Sequence, residues 1–123
     1  LLRTELNDLK DFFILPEPEA NSDPSWFGFL LTVTEGAPFT RDEIVQHLEE
    51  CGIQTRMLFA GNLIKHPCFD EMRREGQGYR VVSGLFNTDI IMNRTFWIGV
   101  YPGLSESALR YMVDCIKKYS GQV

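Results

Sequence analysis

Long apolar runs, a basic surplus, paired cysteines and clustered histidines are all missing from this chain, and each absence closes off a class of function. The longest apolar stretch, Trp26 to Leu31, falls far short of the roughly 20 residues that a helix needs to cross a bilayer. Acidic side chains outnumber basic ones by 17 to 12, leaving a net charge of −5. Neither nucleic acid nor a membrane is therefore an expected partner. The three cysteines, Cys51, Cys68 and Cys115, are odd in number and widely separated, with no CxxC pair and no Cys/His ligand spacing. That argues against a disulfide framework or a metal site and suits a reducing cytoplasm. Cys51 and Cys115 fall on the apolar faces of predicted helices, where a thiol acts as a small hydrophobe. Cys68, just after Pro67, is the one candidate for a reactive thiol. Standard catalytic signatures are absent too: there is no GxGxxG, Walker loop, nucleophile elbow or HExxH.

What remains is an ordinary globular composition. At 123 residues the chain fits one domain and buries about two-thirds of its unfolded surface. It opens on Leu1-Leu2-Arg3, with no methionine and no charged-then-apolar signal pattern. A processed precursor or an excised piece would open this way, and excision is the expectation. Leu2, Leu6 and Leu9 keep helical spacing, so residues 1–11 read as the tail of a longer helix.

Further along, the pattern alternates between strands and helices. Trp26 to Val33 is expected as a strand with Phe27, Phe29, Leu31 and Val33 on one face. Thr40 and Glu43 are spaced as a capping box, with Phe39 and Ile44 placed as a hydrophobic staple. The helix they open carries Ile44, Val45, Leu48 and Cys51 on one stripe and stops at Gly52. His47 lies on its polar side and reads as a solvated residue. Ile53 to Phe59 is the second strand, with Thr55, Met57 and Phe59 on one face and Arg56 on the other. A loop leads to Pro67, which opens a short helix through Met72, and residues 73–78 read as loop. Tyr79 to Val82 is a candidate short strand, and Thr88 to Met92 a brief helical turn capped by Thr88. Thr95 to Tyr101 is the third core strand, and a helix from Ser105 buries Ala108, Leu109, Met112, Val113 and Ile116. The order gives a small α/β domain, a sheet with helices packed on one face.

A few polar residues stand out against this frame. Arg56 lies mid-strand, as either an edge residue reaching solvent or a fixed clamp for phosphate or carboxylate. Asn62 and Asn93 read either as contacts to a sugar hydroxyl or as plain turn chemistry. His66 is held extended by the following proline, as a pocket group or as structure. Trp97 and Tyr101 share a strand face, where packing in the core competes with stacking on a sugar or base.

Two stretches then resemble one family. Gly52-Ile53-Gln54-Thr55-Arg56 with Asn62-Leu63-Ile64-Lys65-His66-Pro67-Cys68-Phe69 is similar to the C-terminal domain of the DegT/DnrJ/EryC1/StrS sugar aminotransferases. Within that family, Phe59-Ala60-Gly61-Asn62-Leu63 and Thr95 to Gly103 look most like the 3-dehydrase branch. The resemblance runs from about Phe12 to the C-terminus. It implies the small domain of the aspartate-aminotransferase (type I) fold, with three or four largely antiparallel strands. Residues 1–11 would end an inter-domain helix, and residues 12–123 would form the C-terminal small domain of a larger enzyme.

The implied parent removes the C3 hydroxyl of a CDP-4-keto-6-deoxyhexose in dideoxysugar and O-antigen synthesis. Its cofactors would be pyridoxamine or pyridoxal phosphate and a [2Fe-2S] centre, both held by an N-terminal large domain. An iron–sulfur flavin reductase would supply electrons, and the parent would be a homodimer. This chain would hold neither cofactor nor any catalytic residue. By the same resemblance Arg56 and Asn62 face the nucleotide sugar, with His66, Asn93 and Arg94 beside them. Lys65-His66-Pro67 departs from the Arg-Gln-Pro common in relatives. A plain sugar aminotransferase and a stand-alone binding module are the rival readings.

Overall fold

The computed structural model describes residues 1–121; Gln122 and Val123, which close the expected 12–123 domain, lie outside the described residues. The elements run α1 (Leu2–Glu5), β1 (Phe13–Ile14), β2 (Gly28–Val33), α2 (Arg41–Glu50), β3 (Thr55–Met57), α3 (Asp70–Glu75), α4 (Phe86–Arg94), β4 (Thr95–Gly99) and α5 (Glu106–Ser120). The strands form one antiparallel sheet in the order β1-β2-β4-β3. Phe29 lies opposite Ile98 and Leu31 opposite Phe96, so the strand alternation puts all four on one face. That face is buried with Ile44 and Leu48 of α2 and Met112, Val113 and Ile116 of α5. The fold is thus the α/β sheet expected, with its core on one side.

Helix ends follow the local sequence. The Thr40 hydroxyl accepts from the Glu43 backbone N–H, and the Glu43 carboxylate accepts from Thr40 N at 2.7 Å, the complete capping box. Phe39 and Ile44 are both buried as its staple. Gly52, at φ +75°, turns the chain out of α2 in a conformation that favours glycine. Edge strand β3 is short, and Glu49 from the last turn of α2 bonds both Thr55 N and Thr55 Oγ1, at 2.6 and 2.7 Å.

The structure departs from the sequence expectations in several places. The fourth strand is Phe13–Ile14, paired with β2, while Tyr79 to Val82 is irregular. Val82 is 82% exposed and Tyr79 and Val81 are exposed too, so that segment lacks the alternating burial a strand needs. The helical turn expected at Thr88 begins at Phe86 and reaches Arg94, with Thr88 inside it and no side-chain cap. Pro67 opens a 3₁₀ turn through Phe69, and α3 then runs on to Gly76 (φ +66°). The opening helix is a single turn followed by a 3₁₀ turn at Asn7–Leu9, with Leu2 and Leu6 in the core. β2 starts at Gly28 and β3 stops at Met57, so Phe27 and Phe59, each expected within a strand, lie beyond the strand ends and are exposed. β4 ends at Gly99, which leaves Tyr101 outside the sheet and exposed.

His47 is half-buried, not solvated. Its Nε2–H donates to the Cys115 carbonyl at 3.2 Å, and its ring stacks on Tyr119 at 4.8 Å. Cys51 lies 3.6 Å from the same nitrogen, and burial pushes its thiol up. Phe96 is among the largest fully buried side chains. Phe96→Ala is expected to lower the stability to unfolding by about 3–5 kcal/mol in urea titrations.

Candidate functional site

A polar cluster forms where the loop after β3 meets α4. Gly61, at φ +64°, brings the loop backbone against Met92; an added Cβ would lie 2.9 Å from Met92 Cγ. Asn62 follows and is only 2% exposed. Its Nδ2 donates to Asp89 Oδ1 at 2.8 Å, and Lys65 Nζ reaches the same oxygen at 2.8 Å. Lys65 first, and Asn62 second, hold the Asp89 carboxyl below the usual aspartate range. His66 Nε2–H donates to the Ala60 carbonyl and closes the loop on itself. Arg73 adds bonds to the Ile64 and His66 carbonyls and an ion pair with Asp70.

Asn93 joins the cluster through Asp89, donating to that residue's carbonyl at 2.8 Å. With Arg94 it also lines a cleft of about 460 Å³ that includes Thr40, Arg41, Glu43 and Glu35. Arg94 stands 3.8 Å from the Glu35 carboxylate. Arg41, only 15% exposed at its side chain, donates to the Met92 carbonyl at 3.1 Å and pairs with Asp42 at 2.6 Å. It ties the start of α2 to the end of α4.

Arg56 lies apart from both groups, exposed on β3 directly across from Trp97. Its guanidinium donates to the Thr55 carbonyl at 2.7 Å. Trp97 lies on the sheet face opposite the core, with Phe27 beside it and Phe59 next to Phe27, 75% and 77% exposed. The five residues singled out from the sequence therefore divide. Asn62, His66 and Asn93 share one cluster, Arg94 opens onto the neighbouring cleft, and Arg56 belongs to the outer sheet face. Sequence reasoning missed Asp89, the acceptor that organises the cluster, and Arg41. A cation at the first position of α2 was a legible signal for Arg41, since that end of a helix favours acids.

Lys10, Lys65 and Lys118 are exposed and Lys117 is paired with Asp8 at 2.7 Å. Cys51, Cys68 and Cys115 lie in separate elements, and among the described residues no group of three or more His, Cys, Asp and Glu is placed to hold a metal. No described helix is long and apolar enough to cross a membrane.

Comparison with known proteins fits these observations. The family model described as the DegT/DnrJ/EryC1/StrS aminotransferase family matches residues 1–117. The lipopolysaccharide biosynthesis protein RfbH of Salmonella typhimurium is 48% identical over 120 residues, covering 98% of this chain and 26% of that protein. The dTDP-4-dehydro-2,6-dideoxy-D-glucose 3-dehydratase of Saccharopolyspora spinosa is 44% identical over 106 residues, 86% of this chain and 22% of that one. The chain thus spans about a quarter of the length of these relatives. Among solved structures, the E. coli GDP-4-keto-6-deoxy-D-mannose-3-dehydratase with bound hydrated PLP superposes with a TM-score of 0.76 at 17% identity. It covers 94% of this chain and 28% of the other, a likeness of fold.

Asp89 gives a pH-dependent test. Its pKa is depressed on folding, so its contribution is complete above the unfolded value of about 3.9 and fades as pH falls through the lower folded value. Asp89→Ala is expected to speed amide exchange across residues 61–66 at neutral pH. The gap from the parent sequence should narrow as the pH is lowered into that range.

Proposed function

The chain belongs to the DegT/DnrJ/EryC1/StrS aminotransferase family, and from that premise we propose that it is the C-terminal small domain of a nucleotide-sugar 3-dehydratase. The observation that carries this reading is the 48% and 44% identity, over most of the chain, to proteins of dideoxysugar and lipopolysaccharide synthesis. Residues 1–11 end an inter-domain helix, and the larger N-terminal domain holds the cofactor. The substrate is a CDP-4-keto-6-deoxyhexose.

Bound there, the cofactor in its pyridoxamine phosphate form would supply the electron sink for loss of the C3 hydroxyl, with a [2Fe-2S] centre and a flavin reductase as the electron source. This chain contributes the substrate wall. Arg56 supplies a fixed cation for the diphosphate. The loop of Asn62 and His66, clamped by Asp89, presents a rigid edge to the sugar, with Asn93 and Arg94 next to it. Rigid positioning of this kind is worth several kcal/mol where reacting groups must be aligned. The parent works as a homodimer in the cytoplasm.

The family's aminotransferase members make amine transfer the competing reading. The full-length protein, loaded with cofactor and given a CDP-4-keto-6-deoxyhexose, separates the two by product mass. With the reductase and its electron donor supplied, loss of one oxygen from the substrate mass (water leaves, and two electrons and two protons are taken up), dependent on pyridoxamine phosphate, is the expected result. Glutamate-dependent gain of an amine would make it an aminotransferase, and no cofactor-dependent change would overturn both. Within the dehydratase reading, Arg56→Ala is expected to weaken nucleotide-sugar binding by about 1.5–3 kcal/mol, read as a raised Kd in calorimetry.

A further inference from the structure

We propose that the outer face of the sheet carries a stacking shelf for the base of a nucleoside diphosphate, built from Phe27, Trp97 and Phe59 and edged by Arg56. This rests on the nucleotide-sugar reading above and names the end of that substrate which the face takes.

The shelf is held in place by features with no role in the core. Gly28 leaves room for the Trp97 indole to lie flat on the backbone; a Cβ there would sit 2.0 Å from Trp97 Cε3. On its other side the indole Nε1–H donates to the Met57 carbonyl at 3.2 Å. The ring therefore spans from β2 across β4 to β3. Phe27 packs 5.0 Å from it at 46°. Phe59 stands 6.4 Å from Phe27 at 29°, close to parallel, and extends the aromatic surface.

Phe59 holds φ +44°, a left-handed conformation that a bulky residue keeps only when its surroundings enforce it. The enforcement is visible in the clamp that follows, from His66 to Ala60 and from Asn62 to Asp89. Its effect is to turn an aromatic ring out to solvent. Three neighbouring aromatic rings suit a nucleobase, because stacking needs only a π-face.

Arg56 decides between a nucleotide and an apolar protein surface. It is the cross-strand neighbour of Trp97, and among the described residues its guanidinium has no carboxylate within ion-pair distance. Glu49, which feels its charge, is already bonded to Thr55. An apolar partner would desolvate that charge without compensation. A nucleoside diphosphate sets a planar ring and an anion side by side, matching both features.

The test is calorimetric binding of CDP, dTDP and GDP, with inorganic pyrophosphate as the base-free probe, to the cofactor-loaded full-length protein. Phe59→Leu and Phe27→Leu keep apolar bulk but remove the π-face; Phe59→Tyr keeps it. The expected result is a roughly 5- to 100-fold loss of nucleoside diphosphate affinity in each Leu variant, little change for Phe59→Tyr, and unchanged pyrophosphate binding. Leu variants that bind nucleotide as the parent sequence does would overturn the shelf and make this face an apolar contact with the rest of the protein. Cofactor loading with no nucleotide binding overturns the shelf alone. Failure to load cofactor and to bind nucleotide overturns the underlying reading as well.

Discussion

Phe29 and Leu31 on β2 face Ile98 and Phe96 on β4, and this antiparallel pair, covered by α2 and α5 on one side, is the constraint on which the rest of the domain depends. Because strand side chains alternate, burying this set obliges Leu30, Trp97 and Arg56 to the opposite face. A register slip of one residue would exchange the two faces. The core therefore decides what the outer face can offer, and the helices above it leave that face uncovered.

The ends of the sheet are then specialised by short contacts. β3 is three residues long, and Glu49 takes its first N–H, so the chain leaves the sheet early and enters the loop of Asn62 and His66. That loop is anchored to α4 by Asp89, which bonds Asn62 and Lys65 together. Arg41 ties α2 to α4 through the Met92 carbonyl. Rigid scaffold and exposed polar or aromatic edge are thereby combined, the usual arrangement for binding residues carried on loops.

Features set by neighbours in sequence were legible without a structure. The capping box at Thr40 and Glu43, the stop at Gly52, and the apolar stripes of α2 and α5 appear as read. So does the face of β2 shared by Phe29, Leu31 and Val33, because alternation is local, whereas Trp97, for which core packing was one reading, lies on the outer face. Features set by distant neighbours were not. β1 is a strand only because Phe13 and Ile14 meet Val33 and Thr32. Phe27 and Phe59 continue the apolar alternation yet lie just beyond strand ends, where pairing no longer fixes their direction. Asp89 carries no signal of its own and gains its place from Asn62, 27 residues earlier. Gly28 did carry one, a strand glycine that marks close approach, realised here by Trp97.

The proposed nucleotide-sugar wall of the larger enzyme is the outer sheet face together with the loop after β3. Amide hydrogen exchange on the full-length protein, with and without a CDP-4-keto-6-deoxyhexose, tests it most directly. Slowed exchange on ligand addition across residues 27–28, 56–66 and 93–97, with the buried faces of α2 and α5 unaffected, is the predicted result. Protection confined to the N-terminal domain, with none of these segments responding, would contradict it.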